Sequence, residues 1–253
     1  MTMNYNVITC LILFVCLVMI IFIHELCHLF AGCLVGKKPK IISIGFWRPY
    51  IKCSIQGIEC RLTPFMLGGF VSFADNLNLS TEEVKKLSLS KQIIIYSTGC
   101  IGNFISGIVV LFLMGLYLNK TNLAETLKVT GMVIFENIIF SYTATAALIT
   151  NQSFEADISQ TLLLISKISE AGNLHIVVVL LFLLVFALLS AITGVMNLLP
   201  FPPLDGWHIV QGIIEKVRGK KFSYKTNVVL TYLGLSSVIL FSLYIIYCGI
   251  VKL

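Results

Sequence analysis

Charge is scarce in this chain. Its 18 basic and 12 acidic residues amount to 12% of 253 positions, too few to hydrate the surface of a soluble globule when 57% of residues are hydrophobic and the mean hydropathy is +0.94. The expected class is therefore an α-helical integral membrane protein. No basic patch is interleaved with aromatics, which excludes nucleic acid as a partner. The eight cysteines (Cys10, Cys16, Cys27, Cys33, Cys53, Cys60, Cys100 and Cys248) form no CxxC pair. That excludes a dithiol or ribbon-type metal knot and leaves them as small apolar fillers. Internal repeats, low-complexity tracts and a separate soluble domain are also missing, so residues 1–253 read as a single membrane-embedded domain. Proline is rare, and three of the six prolines fall together at Pro200, Pro202 and Pro203.

What the chain has is long apolar runs. Residues 6–35, 92–118, 174–199 and 228–251 are each long enough, at ~1.5 Å per residue, to cross about 30 Å of hydrocarbon. The first run has no basic start, exceeds a signal-peptide core in length and carries His24, Glu25 and His28, so it is expected as a mature helix. The few charges give an orientation. Between Lys37 and Lys91 nine basic residues face four acids, and Lys216, Arg218, Lys220, Lys221 and Lys225 follow Gly206. Residues 120–170 hold three lysines and five acids. By the positive-inside rule the first two regions are cytoplasmic and the middle one is extracytoplasmic. The basic loops then lie beside anionic lipid heads.

After the first run the pattern changes. Residues 41–46, 51–55 and 58–62 are rich in β-branched and apolar residues, with Gln56-Gly57 as a hairpin turn between the last two. A small membrane-associated β-hairpin or sheet is expected over 41–73. It includes Gly68-Gly69, where the missing side chains let another chain approach the backbone. Residues 75–90 read as a polar linker with a short helix starting near Ser80. Residues 127–150 are apolar but interrupted by Glu136-Asn137 and several hydroxyls. A lone crossing there would reverse the 174–199 helix. The segment 120–172 is therefore expected to be extracytoplasmic, either re-entrant or interfacial, or a pair completed by 158–168.

The most informative short stretch is His24-Glu25-Leu26-Cys27-His28, an HExxH sequence within an apolar helix. Residues four apart share a helix face, so two imidazoles can hold one Zn²⁺ while the glutamate beside them takes a proton from an activated water. The plainer alternative is two histidines satisfying nearby backbone groups. Facing lipid, these groups would cost several kcal/mol, so they are expected to line a protein interior or a hydrated cavity.

A third ligand is needed. Asp205 is the best candidate, because the prolines at 200–203 break the third run and leave a carboxylate beside a cavity on the same side as His28. The alternative role for Asp205 is an N-cap for a helix starting at Trp207. His208 is a weaker candidate ligand, and His175 belongs to the opposite membrane face.

With these residues in view the chain resembles the site-2 proteases, in their bacterial RseP-like branch. His24 to His28 matches the HExxH of that family. Ser43-Ile44-Gly45-Phe46 is similar to its SIGFG stretch, and Leu67-Gly68-Gly69-Phe70-Val71 to its LGGYV element. Gly99 and Asn103 match part of AGPxxN, and Asn197 to Gly206 is similar to NxxPxPxLDG. The resemblance implies that His24, His28 and Asp205 bind zinc, that Glu25 is the catalytic base and that Asn197 helps hold an unwound substrate. It also implies that the β-element around Gly68, Gly69 and Phe70 docks substrate as an added strand. The implied activity is hydrolysis of peptide bonds within or next to the spans of single-span proteins, signal-peptide remnants or small peptide precursors. The implied place is a bacterial inner (plasma) membrane, with the active site toward the cytoplasm. Three departures stand out: no PDZ domain fits between Leu118 and Leu174, Cys100 replaces a proline, and Trp207 replaces a second glycine.

Two other functions compete. A catalytically silent relative that binds membrane helices has no need of Glu25 between two ligands. An ion or metal transporter would show repeated halves with matching broken helices, which this sequence lacks.

Overall fold

The computed structural model describes residues 5–46, 48–74, 77–118, 122–150, 159–170 and 173–251. The chain opens with α1 (Tyr5–Leu34), which ends at Gly36 in the left-handed region. Four strands follow: β1 (Ile41–Phe46), β2 (Ile51–Ile55), β3 (Ile58–Leu62) and β4 (Phe65–Ser72). The remaining elements are α2 (Leu77–Lys85), α3 (Leu89–Leu118), α4 (Leu123–Thr150), α5 (Ser159–Ser169), α6 (Leu174–Asn197), α7 (Asp205–Arg218) and α8 (Tyr224–Val251).

Three of these helices are long and apolar enough to cross a bilayer over described residues: Cys10–Leu34, Leu89–Leu118 and Leu174–Asn197. The fourth expected run, 228–251, is helical within α8, but the side chains of its second half lie outside the described residues. The spanning helices α1, α3 and α6 pack on one another and turn large apolar side chains outward, among them Leu11, Ile105, Leu113 and Val179, each at least half exposed. Such surfaces are stable against lipid and costly in water. The protein is an integral membrane protein.

Helices α3 and α6 approach closely because glycines remove side chains at their contacts. A Cβ on Gly107 would lie 3.0 Å from the Ala187 carbonyl oxygen, and one on Gly194 would lie 3.2 Å from the Cys100 carbonyl oxygen. This is the small-residue packing by which helices associate in lipid.

The strands form one sheet in the order β2-β3-β1-β4, with β1 parallel to β3 and the other pairs antiparallel. The Gln56-Gly57 turn has positive φ at both residues, which closes the β2-β3 hairpin with the right-handed twist of the strands. Strands β1 and β4 pack against α1, which places the β4 edge beside the cytoplasm-predicted half of that helix. The short helix α2 starts at Leu77, earlier than Ser80; the Ser80 hydroxyl instead accepts the Phe73 N–H at 3.0 Å. Lys37, just beyond α1, meets Glu83 of α2 at 2.5 Å, and its hydrogen bond with that of Lys86 holds the Glu83 carboxyl down at about 2.

Residues 120–172 hold a helix pair among their described positions. Helix α4 packs along α3 and α6, and α5 turns back beside it. Glu136 holds the pair together. Its carboxylate accepts the N–H groups of Gln160 at 2.9 Å and Thr161 at 3.1 Å, capping the otherwise orphan donors of α5. The charge that interrupts the apolar pattern of α4 is thus the cap of its neighbour. Lys167 closes the other end on Glu125 at 3.0 Å.

Candidate metal centre and active site

Three side chains from two distant parts of the chain converge. His24 and His28 lie one turn apart on α1, both buried, with their Nε2 atoms 3.0 Å apart. Asp205 Oδ2 is 3.0 Å from His24 Nε2 and 3.1 Å from His28 Nε2. Asp205 opens α7 as a helical residue after Leu204, and no side-chain cap is made there. The capping alternative for this carboxylate is overturned: it turns to the histidines because the chain folds back at the prolines. Gly206 makes that fold possible, since a Cβ there would lie 2.2 Å from the Leu198 carbonyl oxygen. The glycine after the aspartate is a steric requirement.

The donor chemistry of this group suits a cation. The Ile95 carbonyl oxygen, an acceptor only, sits 2.7 Å from His28 Nδ1 and so fixes a proton there. In the neutral ring, Nε2 then carries a lone pair aimed at the same point as a carboxylate oxygen and a second imidazole nitrogen. The lone pair and the carboxylate oxygen repel unless a proton or a metal ion lies between them, and around a metal ion all three groups can turn a lone pair inward. His24, His28 and Asp205 offer one ligand atom each within 4.8 Å of one another, and bonds of ~2.0 Å to a shared tetrahedral centre need edges of about 3.3 Å. Zinc fits this donor set in number, type and spacing.

Helix α3 lies directly against the group. A Cβ on Gly99 would sit 2.5 Å from His28 Nε2 and 2.6 Å from His24 Cε1. Cys100, in the place of a proline in the resembled motif, is buried with its Sγ 4.0 Å from Asp205 Oδ2. Neither role is visible in composition or periodicity, because each depends on how α3 is set against α1.

A cavity of about 540 Å³ opens beside the group, lined by Glu25, Gly69, Phe70, Thr193 and Asn197 together with the three ligand candidates. Glu25 is buried at its wall. A Cβ on Gly69 would lie 2.7 Å from Glu25 Cγ, so the absence of one lets the β4 backbone reach the carboxylate. Gly68 faces the other way, onto the Phe46 ring. The Asn197 side chain donates to the Thr193 carbonyl at 3.1 Å from the last turn of α6.

His208 lines the cavity too, stacked on Tyr96 with ring centroids 4.8 Å apart, and stands outside the three-ligand group. Burial lowers its pKa. Trp207 is not among the described residues that line the cavity. His175 sits at the far end of α6, with its N–H on Asn173.

A family model, peptidase family M50, matches residues 12–241. The chain belongs to that family. M50 is the site-2 protease family that the motifs resemble. The chain is accordingly a membrane metalloprotease whose cofactor is zinc. A Campylobacter jejuni protein provisionally named a zinc metalloprotease is 26% identical, over an alignment covering 89% of each chain. An Enterococcus faecalis protein provisionally named a protease is 44% identical over 27% of this chain and 16% of its own. An Arabidopsis thaliana protein provisionally named a chloroplastic membrane metalloprotease is 33% identical over 37% and 22%. In this M50 chain the interval between α3 and α6, where no PDZ domain is expected, holds the α4-α5 pair among its described residues.

Proposed function

We propose that this M50 protein hydrolyses peptide bonds within or next to membrane-spanning segments of single-span proteins, signal-peptide remnants or small peptide precursors. The observation that carries the reading is the convergence of His24, His28 and Asp205 beside Glu25 on a cavity walled by the edge of β4. His24, His28 and Asp205 hold the zinc. When bound, zinc supplies a Lewis acid that polarises a carbonyl and lowers the pKa of water toward about 7.

The chain's own groups do the rest. Glu25 takes a proton from the attacking water and delivers it to the leaving amine as the C–N bond breaks. A helical peptide bond is shielded, so the substrate has to unwind, and its freed backbone groups need partners away from water. The edge of β4 around Gly68, Gly69 and Phe70 offers them by strand addition, and Asn197 faces the unwound segment from the end of α6. The excess of basic residues over 37–91 supports a site toward the cytoplasm. The bacterial relatives support a plasma-membrane location.

The test is Glu25→Gln, purified in detergent beside the wild type, with bound zinc measured and a panel of single-span substrates offered. Zinc is expected in both, with cleavage about 10²–10⁴-fold slower in the variant. Zinc-loaded wild type that leaves every substrate intact would favour a silent helix-binding relative.

A further inference from the structure

We infer that Asn103 of α3 is a positioning residue that holds the His24 ring in its metal-binding orientation by accepting its Nδ1–H through the amide oxygen. The inference rests on the zinc reading above. Ile95, Gly99 and Asn103 are spaced four apart on α3 and present one face to α1. At the first position a backbone carbonyl meets His28 Nδ1 at 2.7 Å. At the second a missing side chain leaves room for both rings. At the third the Asn103 amide meets His24 Nδ1 at 3.3 Å, in a residue that is 0% exposed. Each imidazole thus has one outer partner, and both partners come from the same stripe.

The Asn103 partner is ambivalent where the Ile95 carbonyl is not. The amide nitrogen faces His24 Nδ1, and the buried amide oxygen has no hydrogen-bond partner among the described residues. That arrangement suits a His24 whose proton sits on Nε2. A His24 that gives its Nε2 lone pair to a metal carries the proton on Nδ1, and a donor would then face a donor. Amide oxygen and nitrogen are placed by hydrogen-bond logic, and a half-turn about Cβ–Cγ exchanges them. The half-turn brings the uncommitted oxygen to the Nδ1–H. The amide can therefore serve either tautomer, and metal binding selects the second. The backbone at Asn103 is itself held in place, since its carbonyl oxygen accepts from Ser190 on α6 at 2.9 Å and from Ser106 at 2.9 Å. Outer partners of this kind fix the ring orientation of metal-binding histidines, and their loss costs about 10–100-fold in metal affinity.

Zinc affinity, measured by chelator competition in detergent on wild type, Asn103→Leu and Asn103→Asp, tests the assignment without reference to activity. Asn103→Leu is expected to bind about 10–100-fold more weakly, and Asn103→Asp, which keeps an acceptor, to stay within about threefold of wild type. The metal-free melting temperature is recorded in parallel. A packing role predicts the reverse order, because a buried unpaired carboxylate disrupts a core more than leucine does. Asn103→Leu with wild-type affinity, or Asn103→Asp as weak as Asn103→Leu, overturns the assignment and leaves the zinc reading standing. Wild type that takes up no zinc overturns both.

Discussion

Gly99 is the residue with the least chemistry and the tightest constraint. An added methyl would overlap both imidazoles, at 2.5 Å from His28 Nε2 and 2.6 Å from His24 Cε1. No flexible side-chain end is available to yield, since the His28 ring is pinned by Ile95. Gly99→Ala is therefore expected to lose most of its bound zinc, read by metal analysis of the purified protein, although alanine is the better helix former. Gly131 on α4 is the control. Nothing among the described residues lies within 4 Å of a Cβ built there, so Gly131→Ala is expected to keep its zinc and gain about 0.5–1 kcal/mol of helix stability. In the sequence only the partial AGPxxN match sets Gly99 apart from Gly131. His24, Glu25 and His28 were legible because their spacing is local to one helix, and Asp205 because the prolines around it break an apolar run. Gly99, Cys100 and Asn103 were marked only by comparison with AGPxxN; what they do at the site was not legible, since it arises only where α3 crosses α1.

At the scale of elements, the strands were legible to the residue: β1, β2 and β3 begin and end where β-branched alternation and the Gln56-Gly57 turn put them. Helix α2 was less so: it starts at Leu77, before Ser80, whose hydroxyl accepts the Phe73 N–H instead. The connection between α2 and α7 was invisible, being an ion pair between residues 85 and 215. Lys85 Nζ lies 3.3 Å from Glu215 Oε1, with both side chains under a tenth exposed. Glu215 also accepts the Phe222 N–H at 3.0 Å, and Lys221 reaches the Lys85 carbonyl at 2.8 Å. This cluster anchors the helix that begins with Asp205. Removing one partner leaves a buried charge uncompensated, so Lys85→Met is expected to cost about 3–5 kcal/mol of stability. Replacing both, Lys85→Met with Glu215→Leu, is expected to recover most of it. Thermal unfolding of the three proteins in one detergent checks this. A double variant no more stable than the single one would show that the pair does not act as a unit.

For the whole molecule, the arrangement of helices and the distribution of charge make the same statement about sidedness. Helix α1 ends, α3 begins and α6 ends at the face that carries Asp205, the sheet and the basic segment 37–91. The other face carries the end of α3, the start of α4 and the start of α6. An α4 that crossed alone would bring α6 in from the wrong side and move Asp205 a membrane's thickness from His28, so the segment 120–172 is expected to enter and leave on one face. Two cysteine positions read the orientation directly. Cys53 on β2 is exposed at the sheet, and Leu123→Cys at the start of α4 puts an exposed thiol on the opposite face. A membrane-impermeant maleimide added to intact cells is expected to modify position 123 and spare Cys53, with Cys53 modified once the membrane is permeabilised; mass spectrometry of the labelled peptides distinguishes them. Labelling of Cys53 in intact cells would turn the molecule over. The metal site would then open away from the cytoplasm, on the side where the basic loops gain nothing from anionic lipid.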